Sequence, residues 1–207
     1  MAAAGVCLSV MTGLGALIAP RSSGAGTQSE EDLMDAVRNA MRAAVRTDEP
    51  PEPEFADTSA RLRYLRWKLA MNARLKQRNT DLRTLQQRDE FLQTVWYNCM
   101  RAGLEVDLVM GLIQVESNFR RHAISAAGAR GYMQVMPFWT RVLADGDPSS
   151  LFHTSTNLRY GCVILRHYLD QEKGNLFMAL GRYNGSRGKG AYPGVVLAAR
   201  LNWEFKA

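Results

Sequence analysis

One glutamate stands out for where it sits. Glu116 lies in the apolar run Gly111-Leu-Ile-Gln-Val-Glu-Ser-Asn-Phe119, which reads as the last turns of a helix that opens near Asp107. The carbonyl end of a helix carries partial negative charge, so a carboxylate is disfavoured there. Burial among Leu112, Ile113 and Phe119 would penalise ionisation further. Both effects raise the pKa above the roughly 4.3 of a free glutamate. A carboxyl that keeps its proton near neutral pH serves as a general acid. The plain alternative is a solvent-facing glutamate on a surface helix, and placement alone leaves both readings open.

Other chemistries lack their residues. The three histidines, His122, His153 and His167, are scattered, and none pairs with a second ligand at metal-binding spacing, so no metal site and no cofactor are expected. No Gly-x-Ser-x-Gly elbow is present for a serine hydrolase. Gly188-Lys189 imitates the end of a phosphate loop, but Tyr183 stands at its first glycine position and Gly190 where Ser or Thr belongs. Cys99 and Cys162 fall on helix faces. They read equally as a disulfide in an oxidising compartment or as two buried thiols.

The residues after Glu116 carry a resemblance. Glu116-Ser117-x-Phe119 is similar to the catalytic ES motif of the soluble lytic transglycosylase family, within the lysozyme-like superfamily. Ala123, Ser125, Gly128, Ala129, Gly131-Tyr-Met-Gln134 and Pro137 resemble its SxxGAxGLMQxxP block. Asn157 and Gly161 match the helix that follows, Tyr183-Asn184 matches the AYN motif, and Tyr192-Pro193 fits the tail. These blocks occur in order between about Asp89 and Trp203. Two positions depart from the pattern. Tyr132 replaces the usual Leu, either altering packing beside the cleft or adding a stacking surface for a sugar. Arg182 replaces the usual Ala, placing a cation near acidic groups of the substrate.

The resemblance implies cleavage of peptidoglycan between N-acetylmuramic acid and N-acetylglucosamine without water. Glu116 would protonate the glycosidic oxygen and then accept the proton of the muramic acid's own 6-hydroxyl, which closes a 1,6-anhydro ring. One carboxyl suffices because the nucleophile is tethered, whereas most glycosidases need two. By the same resemblance Ser117 orients Glu116 or contacts substrate, Met133 and Gln134 line the sugar subsites, Tyr183 hydrogen-bonds Glu116 or the sugar, and Asn184 shapes the cleft. A goose-type-lysozyme-like hydrolase is the rival, as is a wall-remodelling module of a secretion or assembly machine. A second carboxylate, if one acts, would be Asp145 or Asp147, with Asp170 and Glu172 poorer candidates.

The elements that must hold these residues are helical, and the expected fold class is all-α. No stretch alternates long enough for a strand, and no repeat appears. Asp89 is expected to cap a helix from Glu90 to about Ala102, with Gly103 closing it. Further helices are expected over Thr156–Gln171 and Leu176–Tyr183. Four regions are expected along the chain: a probable signal peptide over 1–25, an acidic Pro-containing leader over 26–58, a basic helical arm over 59–88, and the catalytic domain over 89–207. The apolar run Ala2–Ala19 fits an export signal, although no Lys or Arg precedes it, and implies a periplasmic protein, membrane-associated if the run is retained. Ser29–Arg46 has helical periodicity, and three prolines among residues 50–53 end it. Leu62, Leu65 and Leu69, with Tyr64, Trp67, Met71 and Leu75, mark one or two basic arms.

Charge follows the same division. The 207 residues carry a net charge of +6. Residues 26–58 hold three basic and nine acidic groups, and everything after them is strongly basic. A basic body calls for an anionic partner. The acidic cell-wall polymer satisfies that better than nucleic acid, since an Arg-rich helix face is ordinarily just solvated.

Overall fold

The computed structural model describes residue 39 and residues 50–78, 80–143 and 146–206. Its first helix, α1 (Thr58–Lys76), opens at Asp57, whose carboxylate accepts from the Ala60 amide at 2.7 Å. Tyr64, Trp67, Met71 and Leu75 recur at helical spacing and are all buried. They form one continuous helix. Leu62, Leu65 and Leu69 lie on its opposite side and stay exposed. The Trp67 and Trp96 rings meet with centroids 5.0 Å apart, tying α1 to the next helix.

That helix, α2 (Leu85–Ala102), begins earlier than the Asp89 cap predicts. Thr84 and Gln87 form a reciprocal capping box. The Thr84 hydroxyl accepts from the Gln87 amide at 3.1 Å, and the Gln87 side chain accepts from the Thr84 amide at 3.0 Å. Two orphan donors satisfied at once outweigh the single bond that an aspartate cap supplies. Asp89 instead sits inside the helix and accepts from Asn72 at 2.8 Å. Gly103, with φ of +60°, closes α2 as expected.

Helix α3 (Val106–Ser117) carries Glu116 and is buried along most of its length. Beyond it come α4 (Phe138–Leu143), a 3-10 turn (Pro148–Phe152), α5 (Thr154–Gln171), α6 (Leu176–Tyr183) and α7 (Ala191–Arg200). Among the described residues the only β pairing is two isolated bridges, Ile124 with Arg130 and Arg130 with Val135, so the fold is all-α. Helix α3 packs on α7, α2 on α5, and α5 on α6, around one core that runs from Tyr64 to Trp203. The α3–α7 contact is backbone to backbone: a Cβ on Gly111 would lie 2.7 Å from the Arg200 nitrogen.

Cys99 and Cys162 meet in this core as free, fully buried thiols. Burial pushes the Cys99 thiol well up, and its hydrogen bond with Cys162 adds to that. The export signal, the periodic segment Ser29–Arg46 and Asp145 lie outside the described residues, apart from Asn39.

Candidate active site

Glu116 occupies the penultimate position of α3. The helix ends abruptly because Asn118 and Phe119 both adopt left-handed backbone, with φ of 48° and 60°. The Asn118 amide still returns to the Gln114 carbonyl at 3.1 Å, and Arg120 donates through Nε to the Ser117 carbonyl at 3.1 Å. A cation therefore closes the negative end of the helix. The bend sends Phe119 into the core against Phe91 and Trp203. Glu116 is left half-buried at the end of α3.

Three hydrogen bonds tie the surrounding segments together near this helix end. The Ser117 hydroxyl donates to the Tyr132 carbonyl at 2.7 Å, fixing the glycine-rich loop beneath α3. The Tyr183 hydroxyl donates to the Met133 carbonyl at 2.7 Å, fixing α6 to the same loop. The Tyr192 hydroxyl, at the start of α7, donates to Glu116 Oε1. The resemblance offered Tyr183 as one donor to Glu116; in the structure Tyr192 makes that bond. Its signal in the sequence was only the Tyr-Pro pair of the tail.

The loop itself is over-determined. Asn157 on α5 accepts from the Met133 amide at 2.8 Å and donates to the Arg130 and Leu151 carbonyls at 2.8 and 2.9 Å. Met133 is fully buried, its side chain packed on Gly161 so closely that a Cβ there would lie 2.3 Å from its sulfur. Gln134 has φ of +48°, and its amide nitrogen donates to the Ala123 and Gly131 carbonyls at 3.1 and 3.0 Å. Asn184 is exposed at the end of α6.

The electrostatics follow from burial. Desolvation raises the Glu116 pKa from its ordinary 4.5 to about 7, against the opposing pull of the Tyr192 hydrogen bond. Burial pushes both Tyr192 and Tyr183 up, and the charge of Glu116 adds to each. Near neutral pH the site therefore holds a carboxyl able to give a proton and, once ionised, to take one back.

The other described carboxylates proposed as partners are engaged elsewhere. Asp147 caps the 3-10 turn, accepting from the Ser149 amide and hydroxyl at 2.8 and 2.6 Å, and these bonds hold its pKa down. Asp170 pairs with Arg166 at 2.6 Å. Glu172 accepts from Arg187 and Arg182, which hold it down to about 2. Arg182 is thus tied to Glu172 and is not a free cation beside the substrate. Tyr132 is buried against Phe91, with centroids 4.9 Å apart, so it alters packing and offers no stacking surface. Cavities of about 710 Å³ beside Phe91 and about 520 Å³ beside Tyr64 are not lined by Glu116. Among the described residues no cluster of three metal-ligating side chains occurs.

These features define a class: an all-helical domain with a half-buried carboxyl at the end of an apolar helix, its pKa raised to about 7. Residues 96–192 match the family model of the transglycosylase SLT domain. The chain is similar to the membrane-bound lytic murein transglycosylase C of Actinobacillus pleuropneumoniae, with 33% identity over 90 residues, covering 40% of this chain and 25% of the relative. The protein of the same name from Haemophilus influenzae is 29% identical over 114 residues, covering 48% and 32%. The chain thus spans about a quarter to a third of these relatives' length. Among solved structures, an inactive mutant of the lytic transglycosylase Slt from Pseudomonas aeruginosa aligns at 20% identity and a TM-score of 0.43, covering 86% of this chain and 32% of that one. Among the described residues no helix is long and apolar enough to cross a membrane.

Proposed function

We propose that the chain is a peptidoglycan lytic transglycosylase that cleaves the bond between N-acetylmuramic acid and N-acetylglucosamine and leaves 1,6-anhydro ends. The observation that carries this reading is Glu116, half-buried with its pKa raised to about 7, inside the segment that matches the SLT domain model. The protonated carboxyl gives its proton to the glycosidic oxygen as the bond to the anomeric carbon breaks. The muramic acid's 6-hydroxyl then attacks that carbon and passes its proton to the Glu116 carboxylate, which restores the acid. Tyr192 steadies the carboxylate between the two steps.

Ser117 and Tyr183 act in this reading by holding the loop against α3 and α6. Met133, with no exposed side-chain surface, supports the loop from below. Gln134 keeps its side-chain oxygen for a sugar hydroxyl, since its nitrogen is engaged in the loop. Asn184 borders the cleft from the α6 end. The engagement of Asp147, Asp170 and Glu172 supports one-carboxyl chemistry over a two-carboxylate hydrolase.

Export to the periplasm completes the reading, with the basic body held near the anionic wall polymer. The regional division given by the sequence accompanies it: signal over 1–25, acidic leader over 26–58, arm over 59–88, catalytic unit over 89–207. The test is mass spectrometry of products released from purified murein sacculi. Anhydro-muropeptides that disappear with Glu116→Gln are expected, and reducing ends would overturn the transglycosylase reading.

A further inference from the structure

The outer face of α1 has no role in the cleft. Leu62, Leu65 and Leu69 are 49%, 42% and 74% exposed, and they stand at i, i+3 and i+7, so they form a single stripe. The opposite stripe, Tyr64, Trp67, Met71 and Leu75, is buried, so Leu62 and Leu69 point away from the core, while Leu65 also lines the cavity beside Tyr64. A helix that is apolar on two opposed faces normally has a partner on each.

The charges around the leucines say which partner fits. Helix α1 carries six cations and no acidic residue. Two of the cations are turned to the protein: Lys68 pairs with Asp89 at 3.8 Å, and Arg74 donates to the Asn202 and Glu204 carbonyls at 2.8 and 3.0 Å. Arg61, Arg63, Arg66 and Lys76 are exposed and form no ion pair with another described residue. Arg66 lies angularly beside the leucine stripe, and Arg61 and Arg63 flank it on either side. Two carboxylate residues, Glu52 and Asp57, line the cavity that Arg61 and Leu65 also line, and Asp57 accepts from the Ala60 amide at the helix start.

We propose that α1 lies flat on an anionic lipid surface, with Leu62, Leu65 and Leu69 in the acyl boundary and Arg61, Arg63 and Arg66 among the lipid phosphates. A two-signal surface of this kind, shallow apolar insertion plus a basic flank, binds reversibly and depends on lipid charge. A second copy of the chain would bring the same cations against one another, so charge favours the bilayer over self-association. The docking is independent of the Glu116 chemistry and would stand if that reading fell.

The test is flotation of the full chain with vesicles of phosphatidylcholine alone and of phosphatidylcholine mixed with phosphatidylglycerol. Binding is expected on the mixed vesicles and is expected to fall with salt. At roughly a factor of five for each cation near the surface, the triple variant Arg61→Ser, Arg63→Ser, Arg66→Ser should bind about a hundredfold more weakly. The variant Leu62→Ser, Leu65→Ser, Leu69→Ser should lose at least about tenfold through its apolar area. Both variants should keep wild-type thermal unfolding, because no substituted side chain is buried. The apolar run at 2–19 is common to all three proteins and cannot produce a difference between them. Equal binding by wild type and both variants would overturn the proposal. So would wild-type binding that ignores lipid charge, or a concentration-dependent dimer abolished by the leucine substitutions.

Discussion

Replacing Glu116 by Gln should make the protein more stable, and only above a particular pH. The folded-state pKa of Glu116 is about 7, against an ordinary value of 4.5. Between those values the folded state holds a proton that the unfolded chain has released. Stability therefore falls as pH rises from about 4.5 to about 7, and is level beyond. At 1.36 kcal/mol per pH unit the shift is worth about 3 kcal/mol. Glutamine has nearly the same shape and no charge to desolvate, so the variant escapes this loss. For a domain of this size 1 kcal/mol moves Tm by roughly 2–4 °C. The Tm difference between Glu116→Gln and wild type should thus widen by about 6–12 °C between pH 4 and pH 8. Far-UV circular dichroism melts across that range measure it. A difference that stays constant with pH would show that Glu116 ionises as an ordinary surface group, and the general-acid argument would fail with it.

Three other perturbations test the surrounding shell. Tyr192→Phe removes a donor that favours the charged carboxylate, so the Glu116 pKa should rise by about one unit, the difference between a charged and a neutral hydrogen bond. Because the acid form starts the reaction, the alkaline limb of the pH–kcat/KM profile should move up by that amount; an unmoved limb would count against Tyr192 as the tuning residue. Ser117→Ala leaves the buried Tyr132 carbonyl without its 2.7 Å donor and should cost about 1–3 kcal/mol in urea unfolding. Gly161→Ala places a methyl 2.3 Å from the Met133 sulfur, and overpacking of about 1–3 kcal/mol should outweigh the gain of up to about 1 kcal/mol in helix propensity. A more stable Gly161→Ala protein would mean that Met133 has room to move.

Legibility in the sequence tracked the range of the interaction involved. Helix α6 was readable to its ends, and α3 and α5 nearly so, because apolar spacing and terminal signals are local. The start of α2 was misread because Asp89 and the Thr84–Gln87 box both look like caps, and only reciprocity separates them. Helix α4 escaped because six residues carry too little periodicity. Helix α7 was hidden behind Pro193, which is tolerated in its first turn. Glu116 could be singled out because an acidic residue at the end of an apolar helix is a local conflict. Its bond to Tyr192 spans 76 positions and leaves no mark that spacing can reveal. The same distance effect assigned Arg182 to the cleft, since nothing in the string of residues shows that Glu172 holds it.

The clasp between α3 and the segment from Ala191 to Trp203 has a consequence for any shortened form of the domain. Trp203 donates to Gln114 at 2.9 Å, α7 rests on Gly111, and Tyr192 donates to Glu116. Without residues 191–203, Glu116 lacks its hydroxyl partner and α3 lacks the helix packed along it. A chain cut before Ala191 should therefore lose the surroundings of Glu116 although every residue of α3 is present.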